Sequence, residues 1–234
     1  MGSRRCTTNR SCPRSPRAIR KPAPIMRKPP NDPHDAPATL DACRRCTLWE
    51  HATQAVPGKG PRDARIMLIG EQPGDREDLA GEPFVGAAGH VLDRALEDAG
   101  LSRASVYLTN AVKHFKWEPR GKRRLHKTPA QREVEACGYW LEREIDAVRP
   151  EVIVALGVTA LRAVLHDHGA TLRGATATLR TPDGHPVVAT YHPSYVLRTR
   201  GADAREHAYR VLVDALRTAD GLAHADRQRA HAAR

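Results

Sequence analysis

Aromatic side chains are scarce in this chain: they make up 4% of its 234 residues, and Phe occurs only twice. A general single-strand binding platform stacks successive bases on rings, so this scarcity argues against one. Long apolar runs are equally rare. The longest, around "VIVALGVTAL", is far too short for a membrane span, and no secretory apolar stretch stands near the start. The opening "MGSRRC" has Cys where a myristoylation pattern needs Ser or Thr. The expectation is a soluble, cytoplasmic chain with no membrane partner.

Acidic residues are absent from positions 1–31, which hold nine basic ones (Arg4, Arg5, Arg10, Arg14, Arg17, Arg20, Lys21, Arg27 and Lys28). That leader carries most of the formal net charge of +11 and leaves +2 for residues 32–234. Its prolines oppose an amphipathic transit helix, so it reads as a disordered basic tail. The other charge concentration is at 113–127, where seven cations (Lys113, Lys116, Arg120, Lys122, Arg123, Arg124, Lys127) face Glu118 alone. A nearly neutral body with one cationic segment suggests a localised polyanion site. A cation run is also, most often, a solvated face.

Cysteines number five, at positions 6, 12, 43, 46 and 137. An odd count in a cytoplasmic chain argues against a disulfide framework and for a metal or cluster. "CRRC" (43–46) is a two-thiolate hook that needs further ligands, and Cys137 is the other cysteine of the body. A histidine can complete a three-thiolate set for zinc or for iron–sulfur. The alternative is a redox pair at "CRRC" with Cys137 as a small buried residue.

Apolar runs at 64–70, 105–112, 151–157 and 186–193 read as strands. Between them, helices are expected at 90–100, from Thr128-Pro129 to about Val148, and over 158–165, with a closing helix at 203–218. Strands alternating with helices predict an α/β fold, a three-layer α/β/α sandwich around a four-stranded parallel sheet. One domain is expected over 39–218, after a Pro-rich leader (1–38) and before a polar tail (219–234).

In such sheets ligands bind beyond the carboxyl ends of the strands. The polar residues there are "GEQPGD" (70–75) with "PFVG" (83–86) later in the same loop, "TNAVKH" (109–114) and "YHPS" (191–194). The Gly-rich loop matches neither a P-loop nor G-x-G-x-x-G, so no nucleotide cofactor is expected. Asn110 could equally satisfy backbone at a strand end, and His192 before Pro193 could be a turn residue.

Taken together, "GEQPGDREDLAGEPFVGAAGHVLDRAL", "TNAVKHF", "HPSYVLR" and the early "CRRC" resemble the iron–sulfur branch of the uracil-DNA glycosylase superfamily. The insertion "GKRRLHK" (121–127) resembles that of its X-type subgroup, whose members bond covalently to uracil-containing DNA. The resemblance spans about 39–217. It implies Phe84 as the ring stacking on a flipped uracil, Asn110 as the reader of the pyrimidine edge, and His192 as donor to the uracil O2. It implies that Glu71, Gln72 and Asp75 border the sugar and base, with Glu71 and Gln72 in the catalytic set. Ordinary iron–sulfur glycosylases carry Cys where this chain has His114, a substitution expected of the X-type subgroup. The implied [4Fe-4S] ligands are therefore Cys43, Cys46, His114 and Cys137, with zinc the less favoured occupant. His126 becomes the nucleophile that captures C1′ after uracil leaves. Lys122, Arg123 and Arg124 would grip flanking phosphates and disfavour imidazolium. The implied partner is uracil-containing DNA, acted on by a monomer.

Overall fold

A computed structural model describes residues 37–172 and 178–232, with side chains of the last helix described to 225. The basic leader over 1–36 lies outside the described residues. No helix among the described residues is long and apolar enough to cross a membrane.

Five strands make the central sheet: β1 (Ile66–Gly70), β2 (Val106–Asn110), β5 (Val152–Leu156), β6 (Thr178–Arg180) and β7 (Pro186–Thr190). Their order is β2-β1-β5-β7-β6. The first four in that order are parallel, as the alternation of strands and helices predicts, while β6 pairs antiparallel with β7 at the edge. This short edge strand has only one half-buried residue, so no apolar run betrays it in the sequence. β1 and β5 are buried at every position, the signature of strands covered on both faces.

Alternation sorts the sheet's side chains into two cores. Ile66, Leu68, Val152, Val154 and Val188 pack against Leu92 and Leu96 of α2 (Ala87–Asp98) and Leu212 and Leu216 of α6 (Ala202–Ala232). Met67, Ile69, Ile153, Ala155 and Val187 face Leu141 of α3 (Gln131–Val148) and Leu161 of α4 (Val158–Leu165). Each fully buried side chain of this kind contributes about 1.5–3 kcal/mol. The closing helix outlasts the expected 218, because Ala219 and Ala223 continue its buried stripe where a polar tail was expected.

Four further segments depart from expectation. The loop after β1 contains a helix, α1 (Asp75–Ala80), with no apolar face; Glu77 holds it, accepting from the Gly74 and Gly86 amides at 3.1 and 2.9 Å. The cationic loop is an antiparallel hairpin, β3 (Trp117–Arg120) and β4 (Arg123–His126). "HPSYVLR" opens the short helix α5 (Pro193–Arg198), with His192 as its N-cap. Finally, α3 is capped at Ala130 rather than at Thr128: the Glu133 carboxylate accepts the Ala130 amide at 2.6 Å.

Candidate active site

The chain leaves β1 towards β2 on one side and later reaches β5 on the other, so a topological switch point opens at the carboxyl ends of β1 and β5. Gly70 and Asn110 are register partners at the last rung of β1 and β2. Glu71 follows directly, its carbonyl accepting from the Val112 amide at 3.0 Å. β5 ends in Gly157, and β7 runs into His192, whose Cβ lies 3.3 Å from where a Gly157 side chain would begin. The ends of β1, β2 and β7 therefore meet as their sequences suggest, and the end of β5 joins them.

Asn110 and Phe84 close in around Gly70. A Cβ there would stand 2.4 Å from Asn110 Oδ1 and 2.7 Å from Phe84 Cζ, so only glycine lets both side chains approach. Phe84 is buried and holds a left-handed backbone at φ 56°, an arrangement that costs a non-glycine residue about 1–3 kcal/mol. Its surroundings impose this. Arg103, paired with Asp93 at 2.5 Å, donates to the carbonyls of Pro83 and Phe84 at 3.0 and 3.1 Å. Gly89 lets the Phe84 carbonyl come so close that any Cβ would collide with it. The Phe84 ring stacks against His192 with centroids 6.0 Å apart. Asn110 is buried beside it, and its carbonyl accepts from Lys113 Nζ at 2.9 Å.

His192 has a defined tautomer. Its Nδ1 accepts the Ser194 amide at 3.2 Å and lies 2.7 Å from Ser194 Oγ, which itself accepts from Arg198 at 2.9 Å. With Nδ1 occupied as an acceptor, the proton resides on Nε2. Burial, then Arg198 and His126, press the His192 pKa down to about 4, so the imidazole is neutral near pH 7. A neutral N–H donor stabilises an oxygen that gains negative charge.

His126 ends β4 with Nε2 3.5 Å from Glu71 Oε1, and its ring lies 6.0 Å from that of Phe115. The other Glu71 oxygen accepts the Thr159 hydroxyl at 2.6 Å. The His126 pKa is lowered, first by burial and then by Arg198, against the opposing pull of Glu71. Burial leads that shift, and the cation that adds to it is Arg198 of α5 rather than the hairpin's own lysines and arginines.

Four of the seven cations of segment 113–127 are paired with carboxylates. Lys113 is fully buried and pairs with Glu144 at 2.7 Å; Lys116 pairs with Glu133 at 2.8 Å and Lys127 with Glu118 at 2.9 Å. Arg124, expected on phosphate, instead binds Asp75 and Asp78 at 2.6 Å each and lies over the Phe115 and Trp117 rings. Asp75, expected at the sugar and base, is thereby a partner of the hairpin. Gln72, expected in the catalytic set, holds the hairpin's neck: Oε1 accepts the Lys116 amide at 3.0 Å, and Nε2 donates to the Lys116 and Lys127 carbonyls at 3.2 and 3.1 Å. Lys122 and Arg123 remain exposed at the hairpin turn.

The cysteines gather on another flank. Cys46 and Cys137 share a hydrogen bond that draws the Cys46 thiol down to about 7 and pushes Cys137 up. Leu48, Val112 and Val134 pack around them, and the Lys113 amide reaches Cys137 Sγ at 3.5 Å. Cys43 is buried in the same loop as Cys46, and Arg45 from that loop bonds the Ala136 carbonyl at 3.2 Å. His114, next to Lys113, is buried, and burial followed by Arg44 lowers its pKa, giving the neutral imidazole a ligand needs. Among the described residues no three His, Cys, Asp or Glu side chains converge closely enough to hold a single ion. Three thiols and a neutral imidazole are donors of the kind a cluster accepts, one per iron.

Sequence reasoning passed over Thr159, Arg198 and Arg103. Arg198 stands within the quoted "HPSYVLR" and was legible as the cation nearest the histidine. Thr159 and Arg103 carry no local signal, since both act on residues more than fifteen positions away.

The sequence is similar to those of named proteins. A family model described as Uracil DNA glycosylase superfamily matches residues 57–217. A "Type-4 uracil-DNA glycosylase" of Thermotoga maritima is 38% identical over 164 residues, covering 70% of this chain and 82% of the relative. One of the same description from Archaeoglobus fulgidus is 42% identical over 163 residues (67% and 78%). A "Type-5 uracil-DNA glycosylase" of Thermus thermophilus is 34% identical over 220 residues (77% and 95%). A match running from ahead of the first strand to the middle of the closing helix means that the chain belongs to the uracil DNA glycosylase superfamily.

Proposed function

We propose that this protein excises uracil from DNA and is then captured on the resulting sugar through His126. The activity rests on the family and on relatives whose names state it. The covalent step rests on one observation: an imidazole of lowered pKa faces a carboxylate beside the Phe84, Asn110 and His192 pocket.

A flipped uracil would stack on Phe84 and present its edge to the Asn110 amide, offsetting the few kcal/mol lost on leaving the stack. A side chain in place of Gly70 would push these two residues apart. The N1–C1′ bond then breaks with its electron pair moving into the uracil ring, and His192 Nε2–H donates to O2. One well-placed donor contributes about 10²–10³ in rate. The cationic sugar accepts the lone pair of the His126 nitrogen turned away from Glu71, forming C1′–N. The proton on the other nitrogen passes to Glu71, which leaves a neutral, alkylated imidazole. Unprotonated, that group departs poorly, so the adduct persists.

Cys43, Cys46, Cys137 and His114 would hold a [4Fe-4S] cluster, whose bonds cross-link the 43–46 loop, α3 and the segment after β2. The protein is then brown, with absorption near 400 nm, about where iron–sulfur charge transfer lies. Lys122 and Arg123 would meet phosphates flanking the uracil nucleotide.

The test is a uracil-containing single-stranded oligonucleotide resolved on a denaturing gel. The expected result is a heat- and SDS-resistant protein–DNA band, lost in His126→Ala while uracil release persists. Free abasic product with no band supports the second reading, capture by water. The 3.5 Å separation of His126 and Glu71 favours that reading, because it is long for a strong hydrogen bond.

A further inference from the structure

We propose that Thr159 is a positioning residue: its hydroxyl orients Glu71 towards the His126 imidazole and so governs capture of the sugar. The consequence for capture rests on the covalent reading above; the positioning itself does not.

The two oxygens of Glu71 have different partners. Oε2 accepts the Thr159 hydroxyl at 2.6 Å, and Oε1 stands 3.5 Å from His126 Nε2. A glutamate has three rotatable side-chain bonds, and a lone contact of 3.5 Å cannot hold them in one rotamer. The short bond to Thr159 can. Thr159 is itself rigidly placed. It is the second residue of α4, which begins immediately after β5 at Gly157, a glycine held at φ 95° with its amide on the Thr190 carbonyl at 2.9 Å. Threonine is β-branched and has few χ1 choices in a helix. The sheet thus fixes α4, α4 fixes the hydroxyl, and the hydroxyl fixes the carboxylate.

His126 lies on a hairpin secured elsewhere, at Gln72 and Arg124, so it does not depend on Thr159 for its own place. The groups whose charge bears on it are Glu71 from the end of β1, Arg198 from α5 and His192 preceding α5. Of these, Glu71 alone favours the protonated ring. Loss of the Thr159 hydroxyl lets Glu71 turn away. The imidazole then loses both the acceptor that orients its N–H and the base that takes its proton.

The experiment uses the full-length protein and compares wild type, Thr159→Val and Thr159→Ser. Valine keeps the shape and removes the donor; serine restores the donor. Single-turnover courses on a uracil-containing single strand measure released uracil and SDS-resistant adduct separately. An NMR titration of ¹⁵N-histidine-labelled protein, without DNA, measures the His126 midpoint. In Thr159→Val the adduct is expected to form about tenfold more slowly, with uracil release much less affected. The His126 midpoint falls, since a favourable anion has moved off, and Thr159→Ser restores both. If wild type makes no adduct but the midpoint responds in this way, the covalent reading fails and the positioning stands. An unchanged midpoint in Thr159→Val, or a shift that serine does not restore, overturns the proposal whatever the adduct yield.

Discussion

The site is assembled from two regions that are held together by different forces. The strand-end crevice, with Asn110, His192 and Glu71, is an extension of two apolar cores, and its residues stand where buried strands stop. The hairpin that carries His126 contributes almost nothing to either core. It is fastened by Gln72 on its neck backbone, by Arg124 on Asp75 and Asp78, and by the Lys116–Glu133 pair. A core-anchored site persists through local fluctuations, whereas a site anchored by polar bonds can be released without unfolding the domain. In this protein the first region would perform bond cleavage and the second would decide what happens to the sugar. The chemistry that defines the family thus lies in the stable part, and the chemistry proposed for this chain lies in the separable part.

Substitutions should part the two regions. His192→Ala is expected to have the largest effect, slowing uracil release by about 10²–10³, while loss of the α5 N-cap costs about 1 kcal/mol of stability. Arg124→Ala should do the reverse. It leaves the fully buried Asp78 carboxylate without its guanidinium, costing about 3 kcal/mol, read as a lower urea midpoint. Adduct yield should drop with it, and free abasic product should rise. Equal losses of release and adduct in Arg124→Ala would erase the distinction between the regions.

A pH series is a gentler probe. Capture needs neutral His126, whose pKa is lowered from its ordinary value, so adduct formation declines as pH falls through that lowered midpoint. His192 keeps its neutral form down to about 4. Between these limits uracil release should outlast adduct formation, measured as the ratio of free abasic to cross-linked DNA. A constant ratio across this window argues that His126 is not the nucleophile. The smallest effect is expected at the hairpin tip. Lys122→Ala should weaken DNA binding modestly and reduce the salt slope by about one, without altering the adduct fraction among bound molecules.

Much of the crevice was legible because burial on both faces of a parallel strand leaves a continuous apolar run, and the polar residue ending the run is then conspicuous. Gly70-Glu71, Asn110 and His192 were found in that way. The hairpin was not. Its strands "WEPR" and "RRLH" show no alternation, and their cations read as a solvated, phosphate-gripping loop. Four of the seven are in ion pairs with carboxylates, two of which come from α1, a helix equally devoid of apolar pattern. Charge partners distant in sequence leave no periodic trace, so polar packing stays hidden until the chain is folded.

The amino-acid sequence alone determined the parallel four-stranded core and the strand-end location of the candidate site, because hydrophobic periodicity is a local property; the roles given to its side chains came from the family resemblance. Tertiary structure decided which of those side chains face the pocket and which serve as struts. It turned Gln72, Asp75 and Arg124 into supports for the hairpin, made Arg198 the cation felt by both histidines, and brought Thr159 to Glu71. Those assignments depend on distances between residues far apart in the chain, which only the packed sheet and its loops set.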